Sequence, residues 1–449
     1  MSAPTAKIVY FGGGGSRGPG TMESFIHHGP DGSDFDRCRI TIYDVDPTNL
    51  DLVVRLSEKM AAAAGRHIEI TGSTDLSTAL DGCDFVLSSF RPGGFQMRSF
   101  DERIPLRHGL IGNETEGAGG FMMALRSVHV ARRLTDAMAQ VCPRAILVNY
   151  TNPVSIVSQA ITANCGIRTY SLCEGSIASP PWYARIVGLD ESKLCATMVG
   201  VNHGTWTVKA TYDGQDFLPL LERAYEQRRE QITDPIAHGL LRLAITLGSL
   251  PNYYYQWYYL ERTWLSILRS KKTTRAEDLL EQLPGIFAHY REQLDAAGVP
   301  RLDPQRSRGG LHELELALDL MAAILHNRRH RLPVNLPNQN AVAGLDRDLV
   351  VEVPAIVDGR GARPVPLDGL PSGMSPRHPY QLPDTVMPLL LHRAHFQKLA
   401  ADAAWKGTRR DAIAAMAAHP LVRDLDIAER VYDELCAAQA NYLPERLLK

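Results

Sequence analysis

The chain reads as an α/β protein: a doubly wound parallel sheet of the Rossmann type, followed by a second, mixed α+β domain. Three observations predict this. Strand and helix patterns alternate through the first 200 residues, as βαβ units require. The first apolar run ends in a glycine-rich turn, "FGGGGSRGPG", and the next strand pattern ends on acids. Beyond about residue 200 the rhythm changes to longer helices. The expected domains are therefore 1–200 and 201–449.

The elements follow in order. "KIVYFG" (7–12) is a short apolar run closed by glycines, and "RITIYDVD" (39–46) is β-branched and acid-ended. Asp46 is then the expected N-cap, and Pro47 the first residue, of a helix running to "AAAAGR". Strands are expected at 67–71, 84–90 and 144–153, with a helix at 120–143. "NPVSIVSQAITANCG" repeats the grammar of Asn152 as cap, proline first and glycine last. Later helices are expected at 216–232, 236–262, 275–297, 311–329 and 385–418, with "RRHR" (328–331) ending one of them. One Pro/Gly-rich extended stretch, "NLPNQNAVAGLDRDLVVEVPAIVDGRGARPVPLDGLPSG", interrupts them.

Composition narrows the function. With 45% hydrophobic and 22% charged residues and a net charge of −2, the chain lacks the basic excess that nucleic acid or a membrane surface demands. No apolar stretch reaches the about 18 residues of a membrane span, and "MSAPTAKIVYFGGGG" enters a strand with no signal-peptide h-region. Seven cysteines, at 38, 83, 142, 165, 173, 195 and 436, are odd in number and scattered, unlike a disulfide framework. A cytoplasmic, reduced protein is expected.

The glycine turn points to a dinucleotide. Glycines there let backbone N–H groups approach a pyrophosphate at a helix N-terminus. Gly13-x-Gly15-x-x-Gly18 fits the spacing, as does Gly12-x-Gly14 with Arg17 third, so Gly12, Gly13, Gly14, Gly15, Ser16 and Arg17 are the candidate cradle. Asp44 ends the next strand, placed to bond a ribose hydroxyl. It comes later than the usual interval of about 20 residues, and the insert "HHGPDGSDFDRC" supplies the excess.

Two further stretches place chemistry at strand ends: "LCEGSIASP" (172–180), with Cys173 and Glu174, and "VGVNHGTW" (199–206), with His203. Taken alone, the thiol reads first as a buried strand-end cysteine and the imidazole as a hydrogen-bonded core histidine.

The whole pattern resembles glycoside hydrolase family 4, NAD- and divalent-metal-dependent glycosidases related to lactate and malate dehydrogenases. The resemblance is carried by the glycine turn with Pro19, Arg91-x-Gly93-Gly94, and "DERIPLRHGLIGNET-x-G-x-GG" (101–120). It continues through "TNP" (151–153), Cys173, "GVNH-x-x-W" (200–206), "RGG" (308–310), "VVEVPAIV" (350–357) and "AAHPLV…YDELCAAQANYLP". It implies that NAD⁺ takes hydride from C3 of a sugar, a base removes the acidified C2 proton, and the C1 substituent is eliminated. Water then adds and the ketone is reduced. Cys173 and His203 match the metal-ligand positions, with Mn²⁺ expected. Tyr254, in "PNYYYQWYYL" (251–260), matches the C2 base. Glu174 follows the metal cysteine, where an acid protonates the leaving oxygen of α-linked substrates. Arg91 and Asn152 match positions that touch sugar hydroxyls, joined by Asn149 and Asn202. Asn113 and Glu114 stand where the family has Gln-Glu-Thr. "RGGLHELE" (308–315) departs from the 6-phospho-glucosidase pattern, which leaves a 6-phosphate, uronic, sulfonated or free sugar open, with Arg91, Arg98 or Arg308 as anion clamps. A homodimer or homotetramer is expected. The alternative is an NAD-dependent 2-hydroxyacid-type dehydrogenase on the related fold.

Overall fold

The computed structural model describes residues 6–308, 314–365 and 380–449. Six short runs of apolar and β-branched residues form the parallel part of the sheet: β1 (Lys7–Phe11), β2 (Arg39–Tyr43), β3 (Glu69–Ser73), β4 (Phe85–Ser88), β5 (Ile146–Asn149) and β6 (Thr169–Ser171). Their spatial order is β3-β2-β1-β4-β5-β6, and each neighbouring pair is parallel. The order reverses direction between β1 and β4, the switch point where ligands of open α/β sheets bind. The sheet continues without a break into β7 (Leu194–Val201), β8 (Gly204–Tyr212), β9 (Gln215–Asp216), β10 (His330–Pro337), β11 (Val350–Asp358) and β12 (Gly361–Pro364). Here the pairings are antiparallel, β6 meeting β10 and β11 meeting β7. A division of the chain at residue 200 would fall at the end of β7, inside this continuous sheet.

Both faces of the parallel strands are covered, which is why they read as unbroken apolar runs. Ile8 and Tyr10 pack into one core with Phe25 and Val53 of the helices Gly18–His27 and Pro47–Ala63. Val9 and Val86 face the other core, with Phe121, Trp405 and Tyr432. C-terminal helices thus cover the N-terminal sheet.

Local grammar holds at Asp46, whose carboxylate accepts from the N–H groups of Thr48 and Asn49 ahead of the helix at Pro47. It fails at Asn152: the helix is Val154–Asn164, Pro153 occupies the cap position in extended conformation, and no side chain caps it. The expected helix 236–262 is broken. Pro235–Leu247 ends at Gly248 in the left-handed conformation (φ 72°), and the helix Glu261–Ser270 starts after two short turns. The expected helix 385–418 is also two, Met387–Lys406 and Arg409–Ala417, because Thr408 and Asp411 form a new capping box. Of 311–329, residues 311–313 lie outside the described residues and the helix is Glu315–Leu325. "RRHR" does not end it: His330 and Arg331 already pair with Val357 and Ile356 as the start of β10.

Candidate active site

The carboxyl ends of β1, β2, β4 and β5 border a cavity of about 440 Å³. Gly12 has φ 88°, and a Cβ on it would lie 2.7 Å from Phe90 Cβ, so only glycine fits this crossing of two strand ends. The N–H groups of Gly12 and Gly13 donate to the Tyr43 carbonyl at 2.8 and 3.3 Å, tying the turn to β2. A Cβ on Gly18 would meet the Gly13 carbonyl oxygen at 2.0 Å; glycine there lets the helix start close against the turn. The Gly14 N–H donates to Asp44 Oδ2 at 3.0 Å, and the Asp46 N–H donates to the other oxygen at 3.2 Å. Burial raises the pKa of Asp44, and these backbone donors oppose it. Gly15 and Arg17 are exposed toward the cavity, while buried Ser16 is held by Tyr290, whose hydroxyl donates to its carbonyl at 2.6 Å. A backbone cradle beside a carboxylate at the switch point fits a dinucleotide.

The same cavity is lined by Arg91, Asn152 and Arg308. Arg91 pairs with Glu114, which also binds Arg98 Nη1 at 2.9 Å. Arg98 is buried and engaged by Glu102 as well, at 2.7 Å, so it is not available as an anion clamp. Asn113 turns inward on its own chain, its Oδ1 accepting from the N–H groups of Thr115 and Glu116. The guanidinium of Arg308 lies 4.7 Å from the Phe95 ring centroid. Asn152 Oδ1 is buried without a hydrogen-bond partner.

Cys173, just past β6, and His203, in the two-residue turn between β7 and β8, meet with Sγ and Nε2 3.2 Å apart. His203 has φ 59°, the left-handed conformation that non-glycine residues adopt uncommonly and histidine more readily than most. Burial, with Arg393 nearby, lowers its pKa to about 3, leaving a neutral imidazole. Burial and Glu352 push the Cys173 thiol up to about 12. Tyr254 stacks on the His203 ring with centroids 3.6 Å apart and planes within 10°. Its own pKa is raised, first by burial and then by Tyr253 and Cys173, so its phenol needs a neighbouring cation before it can act as a base. Glu174 is exposed, at the start of the helix Gly175–Ile186.

Among the described residues no group of three His, Cys, Asp or Glu side chains gathers as a metal cage. Cys173 and His203 bring one thiol and one imidazole together, a donor pair that fits a soft-to-borderline divalent metal only if further ligands come from elsewhere.

Sequence reasoning missed what stands behind these residues. A polar row crosses the sheet at one register level: Ser88 beside Asn149, Asn149 beside Ser171, Ser171 beside Asn335 and Asn335 beside Glu352. Ser88 Oγ donates to Asn149 Oδ1 at 2.9 Å, and Asn149 Nδ2 donates to Ser171 Oγ at 3.3 Å. The Asn149 amide is thereby engaged inside the sheet. Glu352 Oε2 accepts from Asn335 at 3.3 Å and from Asn202 at 2.6 Å, which occupies the Asn202 amide. Glu352 appeared in the sequence only as part of "VVEVPAIV". Glu116 and Arg393 gave no signal at all; they are buried side by side, 2.9 Å apart, against His203.

With this geometry in hand, the chain matches a family described as "Family 4 glycosyl hydrolase" over residues 7–188, and that family's C-terminal domain over 198–422. It is 29% identical over 451 residues to a probable 6-phospho-beta-glucosidase of Bacillus subtilis (strain 168), covering 98% of this chain and 97% of that one. It is 26% identical to 6-phospho-alpha-glucosidase 1 of Lacticaseibacillus paracasei, covering 98% of each. A crystal structure of a 6-phospho-alpha-glucosidase from gut microorganisms, in complex with NAD and Mn²⁺, superimposes with a TM-score of 0.83 at 23% identity, covering 98% of this chain and 100% of that one.

Proposed function

The chain belongs to glycosyl hydrolase family 4, and from that premise we propose that it cleaves an α-linked glycoside of a phosphorylated sugar, using NAD and a divalent metal, Mn²⁺ above others. The observation that carries the reading is the 3.2 Å approach of Cys173 to His203, with Tyr254 stacked on that histidine. The names of the relatives supply the phosphorylated sugar; Glu174, beside the thiol, supplies the α-linkage. The glycine cradle would hold NAD, which would supply hydride-transfer chemistry at C3, and Cys173 and His203 would hold the divalent metal, which would supply Lewis acidity toward an oxygen carrying negative charge.

The chain's own residues do the rest. Tyr254 takes the C2 proton, and Glu174 delivers a proton to the leaving oxygen. Arg17 and Arg308 line the cavity and give phosphates their cations, while Arg91, already paired with Glu114, serves a sugar hydroxyl. Asn152 offers its unpartnered carbonyl oxygen to a sugar hydroxyl. Asp44 holds a ribose hydroxyl. A cytoplasmic homodimer or homotetramer completes the reading, checked by light scattering in solution.

The test is a panel of p-nitrophenyl α- and β-glycosides, free, 6-phosphorylated, uronic and sulfonated, assayed with NAD⁺, Mn²⁺ and a thiol reductant. Turnover of the α-linked 6-phosphates without net NADH at 340 nm is expected. Preference for β-linked or unphosphorylated substrates overturns the substrate, and steady NADH accumulation overturns the glycosidase chemistry in favour of a dehydrogenase.

A further inference from the structure

His203 presents Nε2 to Cys173; its other nitrogen faces a constellation that the proposed reaction does not use. Glu116, the residue before the helix Gly117–Val141, is 4% exposed, and its Oε1 lies 3.8 Å from His203 Nδ1. Glu116 Oε1 accepts from Arg393 Nη2 at 2.9 Å, and its Oε2 accepts from the Tyr258 hydroxyl. Arg393 reaches the same turn by a second route: its Nη1 donates to the His203 carbonyl oxygen at 3.0 Å. Its guanidinium lies 4.6 Å from the Tyr258 ring centroid, which fixes its plane. The Tyr255 hydroxyl donates to the next carbonyl, that of Gly204, at 3.0 Å. The turn carrying His203 in its left-handed conformation is therefore clamped at two successive carbonyls, and one clamp also holds the carboxylate that faces the ring.

We propose that Glu116 is a positioning residue that fixes the His203 imidazole with its proton on Nδ1 and its Nε2 lone pair turned toward Cys173. A histidine that binds metal through one nitrogen characteristically donates its other N–H to a carboxylate, which sets tautomer and ring orientation. The lone pair belongs on the nitrogen facing sulfur, so the proton belongs on the nitrogen facing Glu116. The 3.8 Å separation exceeds a hydrogen bond, and a ring shift of about 1 Å closes it. Arg393, 2.9 Å away, gives the buried carboxylate a charge partner that offsets part of the cost of burying it. The inference rests on the reading of Cys173 and His203 as metal ligands.

The test uses the full chain. Glu116→Gln keeps the volume and removes the acceptor charge. Mn²⁺ binding, followed by the electron paramagnetic resonance of free Mn²⁺, should weaken about 10- to 100-fold, while NAD⁺ affinity by calorimetry stays unchanged. Because Glu116→Gln leaves Arg393 buried without its partner, Glu116→Gln/Arg393→Met is the companion that removes the pair as a unit; Mn²⁺ binding should weaken there too. Wild-type Mn²⁺ affinity in either folded variant overturns the inference. In metal-free protein, ¹⁵N NMR of labelled histidines, with His203→Asn for assignment, reads the tautomer directly. An Nδ1–H tautomer in the wild type that becomes mixed in Glu116→Gln supports the inference, and an Nε2–H tautomer in the wild type overturns it. A wild type with the Nδ1–H tautomer but no Mn²⁺ binding would overturn the metal reading and leave the positioning role standing.

Discussion

In the parallel half of the sheet, five of the candidate groups sit just past the carboxyl end of a strand: the glycine turn after β1, Asp44 after β2, Arg91 after β4, Asn152 after β5 and Cys173 after β6. In the antiparallel half the site is assembled sideways. His203 comes from a hairpin turn, Asn335 and Glu352 from strand interiors, and Arg393 from a helix 190 residues beyond the histidine it clamps. The first arrangement is written in short-range grammar, a strand and then its loop. The second depends on register between strands far apart in the chain, and a buried polar residue inside a strand has no local signature. The two halves meet at the 3.2 Å contact of Cys173 with His203, one partner from each arrangement.

The largest effect is expected where the two halves meet. Tyr254→Phe keeps the ring stacked on His203 but removes the phenol, so a rate loss of about 10²–10⁴ is expected for a missing general base, with NAD⁺ affinity unchanged. Wild-type turnover in D₂O should place deuterium at C2 of the released sugar, read by NMR. Product without C2 deuterium would end the elimination route. Normal rate and incorporation in Tyr254→Phe would move the base elsewhere in the tyrosine cluster; Tyr258 is engaged by Glu116 and is poorly placed to take over.

Next comes the cofactor cradle. A Cβ at Gly14 would lie 2.8 Å from Asp44 Cβ, so Gly14→Val pushes the carboxylate off its backbone donors rather than filling the pyrophosphate's place. Losing hydrogen bonds to a charged group is worth about 1.5–3 kcal/mol, so NAD⁺ should bind about 10- to 100-fold more weakly by calorimetry. Unchanged affinity would show that Asp44 serves the turn and not the ribose.

These two cases mark how far the sequence could be read. The glycine turn, its acid, the alternating elements and the Asp46 cap were legible because each is a local backbone requirement. Cys173, His203 and Tyr254 were singled out only by resemblance to family motifs; what the structure adds is that the three side chains meet. The breaks at Gly248 and Thr408 were written in the chain, yet helical periodicity on either side of them hid the interruptions. The expected Asn152 cap was a false signal, because an Asn-Pro pair before an apolar run also fits a helix that starts one residue later. Glu116 and Arg393, 277 residues apart, were invisible, since only the fold makes them neighbours.

The polar row offers a comparison within one structure. Ser88→Ala, at the parallel end, removes one neutral hydrogen bond and should cost about 0.5–1.5 kcal/mol. Asn335→Ala, at the antiparallel end, takes a donor from the buried carboxylate of Glu352 and should cost more, about 1–3 kcal/mol, by urea denaturation. Equal costs would mean that the row is uniform and that Glu352 is not specially dependent on it.

The smallest effect should come from a second place where the halves meet, far from the site. His28 follows the helix Gly18–His27; its Nδ1 lies 3.0 Å from Asp34 and its Nε2 3.3 Å from Asp319, which the helix Glu315–Leu325 brings from the other half. Burial works against its charged form, but hydrogen bonds and the charges of Asp319 and Asp34 outweigh it, so its pKa is raised. His326 and Arg328 also face Asp34 and share its charge. A raised pKa in the folded state means that the stabilisation is fully present below the unfolded value of about 6.5. It is lost as pH climbs through the folded value. The melting temperature of the wild type should therefore fall from pH 6 toward pH 8 more steeply than that of His28→Gln, which cannot take the proton. Parallel profiles would show that His28 is neutral in the folded protein and that the insert is held to the second half by Arg328 and His326 alone.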